Sequence, residues 1–226
     1  MRIGVIADIH GHAEALRAVL EALSPLVDRI VCLGDVAEAG DGAEARGAES
    51  CVAELRARNV SAVIGRHDER LLAGGHPGLS PEAAAWLGAL PHERTVEGLH
   101  LVHDNPIERP RLARGMWQRG TYVRHLLAAQ VVFEEAALFR RERGAVVAFG
   151  HTHLPAAYAP DAEVPLAEGH PAWLRPGRPY LVNPGAVGYS SDGRSAHAGI
   201  WDPQAREFTV IRVETPTRLQ AEYRGV

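Results

Sequence analysis

The strongest constraint on this chain is the alternation of its first 65 residues. "RIGVIA" (2–7) is a short, almost unbroken apolar run, the pattern of a strand buried on both faces. "AEALRAVLEAL" (13–23) repeats apolar residues at helical spacing and halts at Ser24-Pro25. "RIVCLG" (29–34) is a second buried strand, "GAEARGAESCVAELRARN" (42–59) a second helix and "VSAVIG" (60–65) a third strand. An order of β-α-β-α-β requires parallel strands joined by right-handed crossovers. In such sheets functional residues gather beyond the carboxyl ends of the strands.

Those ends carry a recurring chemistry. The first strand is followed by Asp8-Ile9-His10, the second by Gly34-Asp35 and the third by Gly65-Arg66-His67-Asp68. Further on, "LHLVH" ends in His103-Asp104, and "AVVAFG" leads into His151-Thr152-His153. In extended backbone an i, i+2 pair points both side chains to one side, so Asp8/His10 and His151/His153 can each act as a pincer. "GRHDER" (65–70) reads as a strand-end loop rich in ionisable groups. Carboxylate plus imidazole is a mixed oxygen and nitrogen set, suited to Mn, Fe or Zn rather than to Ca, Mg or Cu(I). Two carboxylates and four imidazoles exceed the four ligands of a closed zinc site. A two-metal site with a shared carboxylate accounts for the surplus, since ions ~3.5–4 Å apart can hold a bridging hydroxide and both developing charges of an in-line phosphoryl displacement. Any one of these motifs has an ordinary explanation at a helix N-terminus or in a core hydrogen bond. Five at equivalent positions point to a metal centre.

The rest of the chain departs from the βα alternation. "SPEAAAWLGAL" (80–90), "TYVRHLLAAQ" (121–130) and "VFEEAALFRRER" (132–143) are helical, and "RTVEGLHLVH" holds two short strands joined at Glu97-Gly98. The short strands "PAAYA", "PYLVN", "HAGIWD" and "FTVIRVE" predict a largely antiparallel second sheet. Residues 160–179, with five Pro and two Gly, read as an irregular loop or hairpin excursion within a single domain spanning 1–226. A net charge of −4, from 28 acidic and 24 basic residues, argues against bulk nucleic-acid binding while leaving room for a small phosphate ligand. Every basic residue is arginine, which excludes lysine-based chemistry. Cys32 and Cys51 lack metal-site or disulfide spacing and are expected in the core. No apolar run approaches a membrane span, and "MRIGVIADIH" lacks a signal-peptide pattern, so the expected location is cytoplasmic. Oligomerisation is left open.

The ordered set "DIH", "GD", "GRHD", a later His and "GHTH", followed by "NPGAVG" (183–188), resembles the calcineurin-like metallophosphoesterases, in particular their small single-domain prokaryotic phosphodiesterase branch. The likeness runs from Arg2 to about residue 212. It implies an α/β fold, a four-layer αββα sandwich of two mixed β-sheets flanked by helices, with a dinuclear site at the sheet edge. By the resemblance, one metal takes Asp8, His10 and His153, with Asp35 bridging; the other takes Asp35, His103, His151 and the Asn of the family's "GNHD". His67, paired with Asp68, corresponds to the general acid. Asn183 is expected near the site, with Gly185 and Gly188 supplying backbone geometry. The implied reaction is hydrolysis of a small phosphodiester or nucleotide-type substrate, with metal-held hydroxide attacking phosphorus and manganese among the candidate metals. Two other uses of the fold stand beside it: a non-catalytic scaffold and a protein serine/threonine phosphatase.

Three positions leave the family pattern. Arg66 replaces the Asn, and a permanent cation has no acceptor to offer a metal. At ~6 Å from a divalent ion and an effective dielectric of ~20, its repulsion is roughly 5 kcal/mol. Three consequences stay open: the guanidinium swings outward and leaves the second metal with three protein ligands plus water, it replaces the second metal as the positive group that holds phosphate, or the site has decayed to a fold used for binding. "HDNP" (103–106) puts Asp104 where the branch often has Gly, and His12 stands where relatives often carry Asn, open to a phosphate contact or a plain helix start. Arg109, Arg111, Arg114, Arg119 and Trp117 could wall a nucleotide site or form a solvated loop, and Trp173, Arg175 and Arg178 could belong to a lid. His76, His92, His100, His125, His170 and His197 lack the strand-end context and receive no role.

Overall fold

In the computed structural model, which describes residues 1–38, 43–75, 78–105 and 122–221, the alternating segment folds as its pattern requires. β1 (Ile3–Ile6), α1 (Ala13–Leu23), β2 (Arg29–Cys32), α2 (Ala43–Ala57) and β3 (Ser61–Ala62) follow one another, and β1–β2 and β2–β3 pair in parallel. Ala15, Leu16, Val19, Leu20 and Leu23 form the buried stripe of α1; Ser24 still donates to the Leu20 carbonyl at 3.0 Å, and the ladder stops at Pro25, which has no N–H to carry it on. α3 (Arg66–Ala73) begins at once after Gly65, so "GRHDER" is the first turns of a helix and not a loop. α4 (Pro81–Gly88) is capped by Ser80, whose hydroxyl accepts the Ala83 N–H.

β4 (Glu93–Val96) and β5 (Leu99–Val102) make the expected hairpin, with Glu97 and Gly98 both at positive φ. α5 (Tyr122–Glu135), α6 (Ala137–Arg141) and β6 (Val146–Ala148) lead to β7 (Pro155–Ala159), β8 (Ala162–Glu163), β9 (Pro171–Trp173) and β10 (Tyr180–Pro184). β11 (Tyr189–Ser190), β12 (Ser195–Asp202), β13 (Glu207–Glu214) and β14 (Gln220–Ala221) complete the described chain. One six-stranded sheet has the order β3-β2-β1-β12-β13-β9, the other β4-β5-β6-β10-β7-β8, and β11 pairs with β14.

The expectation of a separate, antiparallel C-terminal sheet is therefore corrected. β12 lies antiparallel against β1 and extends the first sheet, while β10 enters the second sheet parallel to β6 and antiparallel to β7. An apolar run specifies a strand, but its sheet depends on which face its neighbours leave unburied. The 160–179 excursion contains two short strands: β8 continues the hairpin from β7, and β9 edges the first sheet against β13.

Period-2 burial sets the layers. Ile3 and Val5 point between the sheets, packing with Leu101, Val146, Ala148, Val182 and Phe208, whereas Ile6 packs among the helices α1 and α2. On the far side Val147, Phe149 and Leu181 meet Ala129, Val132 and Phe133 of α5. Helices, sheet, sheet and helices thus form a four-layer αββα sandwich. Cys32 and Cys51 are free thiols in the helix-side core. Among the described residues no helix is long and apolar enough to cross a membrane. Arg109, Arg111, Arg114, Arg119, Trp117 and His76 lie outside the described residues.

Candidate metal centre

β1, β2 and β3 run parallel in one sheet and β5 and β6 in the other, and their carboxyl ends open on one edge of the sandwich. The chain leaves these strands in an unusual conformation. Asp8, His10, Asp35, His151 and His153 all adopt positive φ, between 48° and 66°. The pincer geometry does not come from extended backbone, as the i, i+2 spacing suggested; it comes from left-handed residues that turn the chain sharply beyond each strand. Each such non-glycine residue costs on the order of 1–3 kcal/mol and persists where its surroundings over-determine it.

Those surroundings are the neighbouring loops. Ile9 and His10 N–H groups donate to the Asp35 carbonyl at 2.8 and 2.9 Å, and Asp8 N–H to the Gly34 carbonyl at 3.1 Å. The loops touch backbone to backbone: a Cβ on Gly65 would stand 2.1 Å from the Asp35 nitrogen, and one on Gly188 would stand 2.3 Å from the Ile9 carbonyl oxygen. Asn183 anchors the "GHTH" loop, its Nδ2 donating to the Gly150 carbonyl at 2.8 Å and to Thr152 Oγ1 at 3.1 Å.

Seven side chains converge on this edge in three overlapping groups: Asp8, His10 and His153; His10, Asp35 and His67; and Asp35, His103 and His151. His10 and Asp35 each belong to two groups, so they occupy the middle. Asp8 is wholly buried and accepts the His151 N–H at 2.9 Å. Asp35 Oδ1 accepts the His67 N–H at 2.7 Å, which turns Oδ2 toward His103 Nε2 at 3.1 Å and His10 Nε2 at 3.8 Å.

The donor atoms fit cations. His10 Nδ1 lies 2.7 Å from Glu38, so its proton sits there and leaves the Nε2 lone pair facing inward. That Nε2 is 3.3 Å from His153 Nε2. His103 Nδ1 donates to the Leu33 carbonyl at 2.8 Å, leaving its Nε2 close to Asp35 Oδ2 without the alignment of a hydrogen bond. Buried lone pairs that face one another require a positive charge between them, whether a proton or a metal ion. The electrostatics report the same demand. Burial alone would raise the Asp35 carboxyl, yet His103, His10 and His67 hold it well below the usual range. Burial would depress His103, but the Asp35 charge pushes it up to about 10. Burial dominates at His10 and lowers its pKa, favouring the neutral, lone-pair-bearing ring.

One expected pairing is corrected. Asp68 does not face His67: its two oxygens accept the N–H groups of Ala37 and Gly65, each at 2.9 Å. As the third residue of α3 it closes the helix N-terminus on Gly65, and consecutive helical residues point about 100° apart. Burial and then the Asp35 charge push Asp68 up to about 7. The partner of His67 is Glu38, 2.6 Å from its Nδ1. Burial opposes its ionisation, but the two imidazoles draw it down to about 2. Sequence reasoning missed Glu38, although an acid three residues beyond Gly34-Asp35 in a strand-end loop was an available signal. It also missed Tyr189, whose ring packs against His153 at 4.2 Å and edge-on to His10 at 4.8 Å.

Arg66 is the first residue of α3 and half-buried, with Nε shielded from solvent and without a hydrogen-bond acceptor. Its charge reaches Asp104, whose carboxyl burial raises while His103, Asn105 and Arg66 draw it down. The two departures from the motif pattern are therefore neighbours of opposite sign. His12 joins none of the donor groups found among the described residues; its ring lies over Gly188 at the start of α1.

Known proteins resemble this chain in sequence and in fold. The chain is 28% identical to an uncharacterized protein of Methanocaldococcus jannaschii, over 94% of this chain and 87% of the relative. A metallophosphoesterase from Sphaerobacter thermophilus superimposes with a TM-score of 0.74 at 28% identity, covering 95% of this chain and 89% of that one. A structure described as a candidate diadenosine tetraphosphatase shares the fold, with a TM-score of 0.57 at 20% identity over 95% and 93% of the two chains. The model of the calcineurin-like phosphoesterase superfamily domain matches residues 1–206, a span that contains all five strand-end loops. With the fold, the loops and the match in agreement, the chain belongs to the calcineurin-like phosphoesterase superfamily and is a phosphoesterase.

Proposed function

We propose that this phosphoesterase hydrolyses small phosphodiester or nucleotide-type substrates at a centre for two divalent cations, the second held more weakly than the first. The observation that carries the reading is the convergence of seven buried or half-buried donors from five strand-end loops. Asp8, His10 and His153 would hold one cation and Asp35, His103 and His151 the other, with Asp35 shared. Manganese, iron and zinc suit this donor set. When bound, such cations supply Lewis-acid charge to the phosphate and lower the pKa of water.

The remaining work falls to the chain's own side chains. Glu38 orients two imidazoles at once, His10 toward the cations and His67 toward the substrate. His67, with its Nδ1 on Glu38, would protonate the departing oxygen through Nε2. Asp68 serves by fixing the start of α3, and so the position of His67. Arg66 presents a permanent positive charge and a donor lacking an acceptor, which suits a phosphate oxygen. The same charge repels a cation at the Asp35, His103 and His151 group, hence the weaker second site.

Hydrolysis of bis-p-nitrophenyl phosphate with added Mn²⁺ tests the reading. Asp35→Ala is expected to reduce turnover about a thousandfold, equivalent to ~4 kcal/mol of transition-state stabilisation. Absence of turnover with Mn²⁺, Fe²⁺ and Zn²⁺ in the wild type would overturn it.

A further inference from the structure

Beside the donor cluster lies a cavity of about 260 Å³ that the phosphoester chemistry does not use. It shares a wall with the centre, since His153 and Tyr189 line both. Their rings are packed at 4.2 Å with 35° between planes, so the inner end of the cavity is aromatic. Leu154, Leu166 and Val210 supply apolar sides. Glu168 and His197 approach to 3.4 Å on its lining, an acceptor and an imidazole, with Ser190 and Ser191 as further polar groups. Leu166 and Glu168 come from the 160–179 excursion, which thereby closes one side of the cavity.

These features select an occupant. The volume lies below the ~300–1,000 Å³ of pockets that enclose drug-sized ligands, so there is room for one ring system and not for a second nucleotide. Aromatic and aliphatic walls favour a flat apolar face, and stacking on aromatic side chains accepts any base. The Glu168–His197 pair offers hydrogen bonds to a ring edge at the solvent side. A bare phosphate would find no arginine among these lining residues. Resting on the phosphoesterase reading above, we propose that this cavity is the subsite for a nucleobase carried by the phosphoester, with the phosphate at the donor cluster beyond His153.

Two measurements test it. The first is free thymidine binding to metal-free protein, followed by saturation-transfer NMR. Binding is expected in the wild type and its loss in Leu166→Trp, which fills the cavity. The second uses Mn²⁺-loaded enzyme and compares kcat/KM for thymidine 5′-(p-nitrophenyl phosphate), phenyl p-nitrophenyl phosphate and methyl p-nitrophenyl phosphate. The thymidine ester is expected to exceed the methyl ester by at least about tenfold, the scale of one filled apolar pocket. It should also exceed the phenyl ester, and the thymidine-to-methyl ratio should collapse in Leu166→Trp. Ser191→Trp, at an exposed position of the lining, makes the same test if Leu166→Trp does not fold. Equal kcat/KM for all three esters, equal rates for the phenyl and thymidine esters, or a ratio that survives both tryptophans would overturn the subsite. If no ester is hydrolysed, the proposed phosphodiester substrate fails by itself, and thymidine binding still decides the cavity.

Discussion

Arg66 concentrates the unusual physics of this protein at one residue. A cation in the first turn of a helix opposes the helix dipole, and this one also has its Nε shielded from solvent. Asp68 and Glu69 in the same turn and Asp104 across the site offset the charge. Were the guanidinium ~6 Å from a divalent ion, a neutral amide in its place would remove a repulsion of roughly 5 kcal/mol at an effective dielectric of ~20. Arg66→Asn is therefore expected to strengthen second-cation binding by well over tenfold, read by metal titration of the purified protein. If the arginine also holds phosphate, KM for bis-p-nitrophenyl phosphate rises in the same variant. Unchanged second-site affinity would show that the charge is fully neutralised by Asp104. At this scale the sequence was only partly legible. The donor identities could be read from strand ends, but the partner of His67 could not, because adjacency to Asp68 in the chain is not adjacency in a helix.

At the scale of elements, the site is built by strand-end loops that grip one another. The left-handed conformations of Asp8, His10, Asp35, His151 and His153 are held by neighbouring loops: the Gly34 and Asp35 carbonyls take the N–H groups of Asp8, Ile9 and His10, and the Asp8 carboxylate takes the His151 N–H. Glycine at 65 is demanded by this contact, with no room for a Cβ against the Asp35 backbone. Backbone cannot yield as a side-chain tip can, so Gly65→Ala is expected to destabilise by at least ~1–3 kcal/mol, the range for overpacking. Denaturant melts of the metal-free protein measure that loss, and weaker metal binding should accompany it because Asp35 is displaced. A melt unchanged from wild type would mean that α3 swings away freely. The motif "GRHD" announced a special backbone, yet not that its glycine was needed for its neighbour's contact.

For the molecule as a whole, the sandwich places its most polar buried residues at one edge and brings their donor atoms within reach of one cation. A cation bound to the folded state alone stabilises it by ~2.7 kcal/mol at a hundred times its Kd. In a domain of this size each kcal/mol moves Tm by ~2–4 °C. Mn²⁺ added to chelator-stripped protein is therefore expected to raise Tm by about 5–10 °C in scanning calorimetry, and Asp35→Ala to abolish most of the shift. No shift in the wild type would mean that protons meet the charge demand of the site.

The sequence by itself determined the parallel βα framework, the strand ends that carry Asp and His, and the family. These follow from local periodicity and from residue types at fixed offsets, which do not depend on distant contacts. Tertiary structure alone decided that β12 and β13 join the first sheet and β10 the second, since an apolar run does not name its neighbour. It also decided that Glu38, not Asp68, holds His67, that the Arg66 charge reaches the Asp104 carboxyl, and that an aromatic-walled cavity adjoins His153. Each depends on side chains distant in sequence, brought together only when two sheets pack face to face.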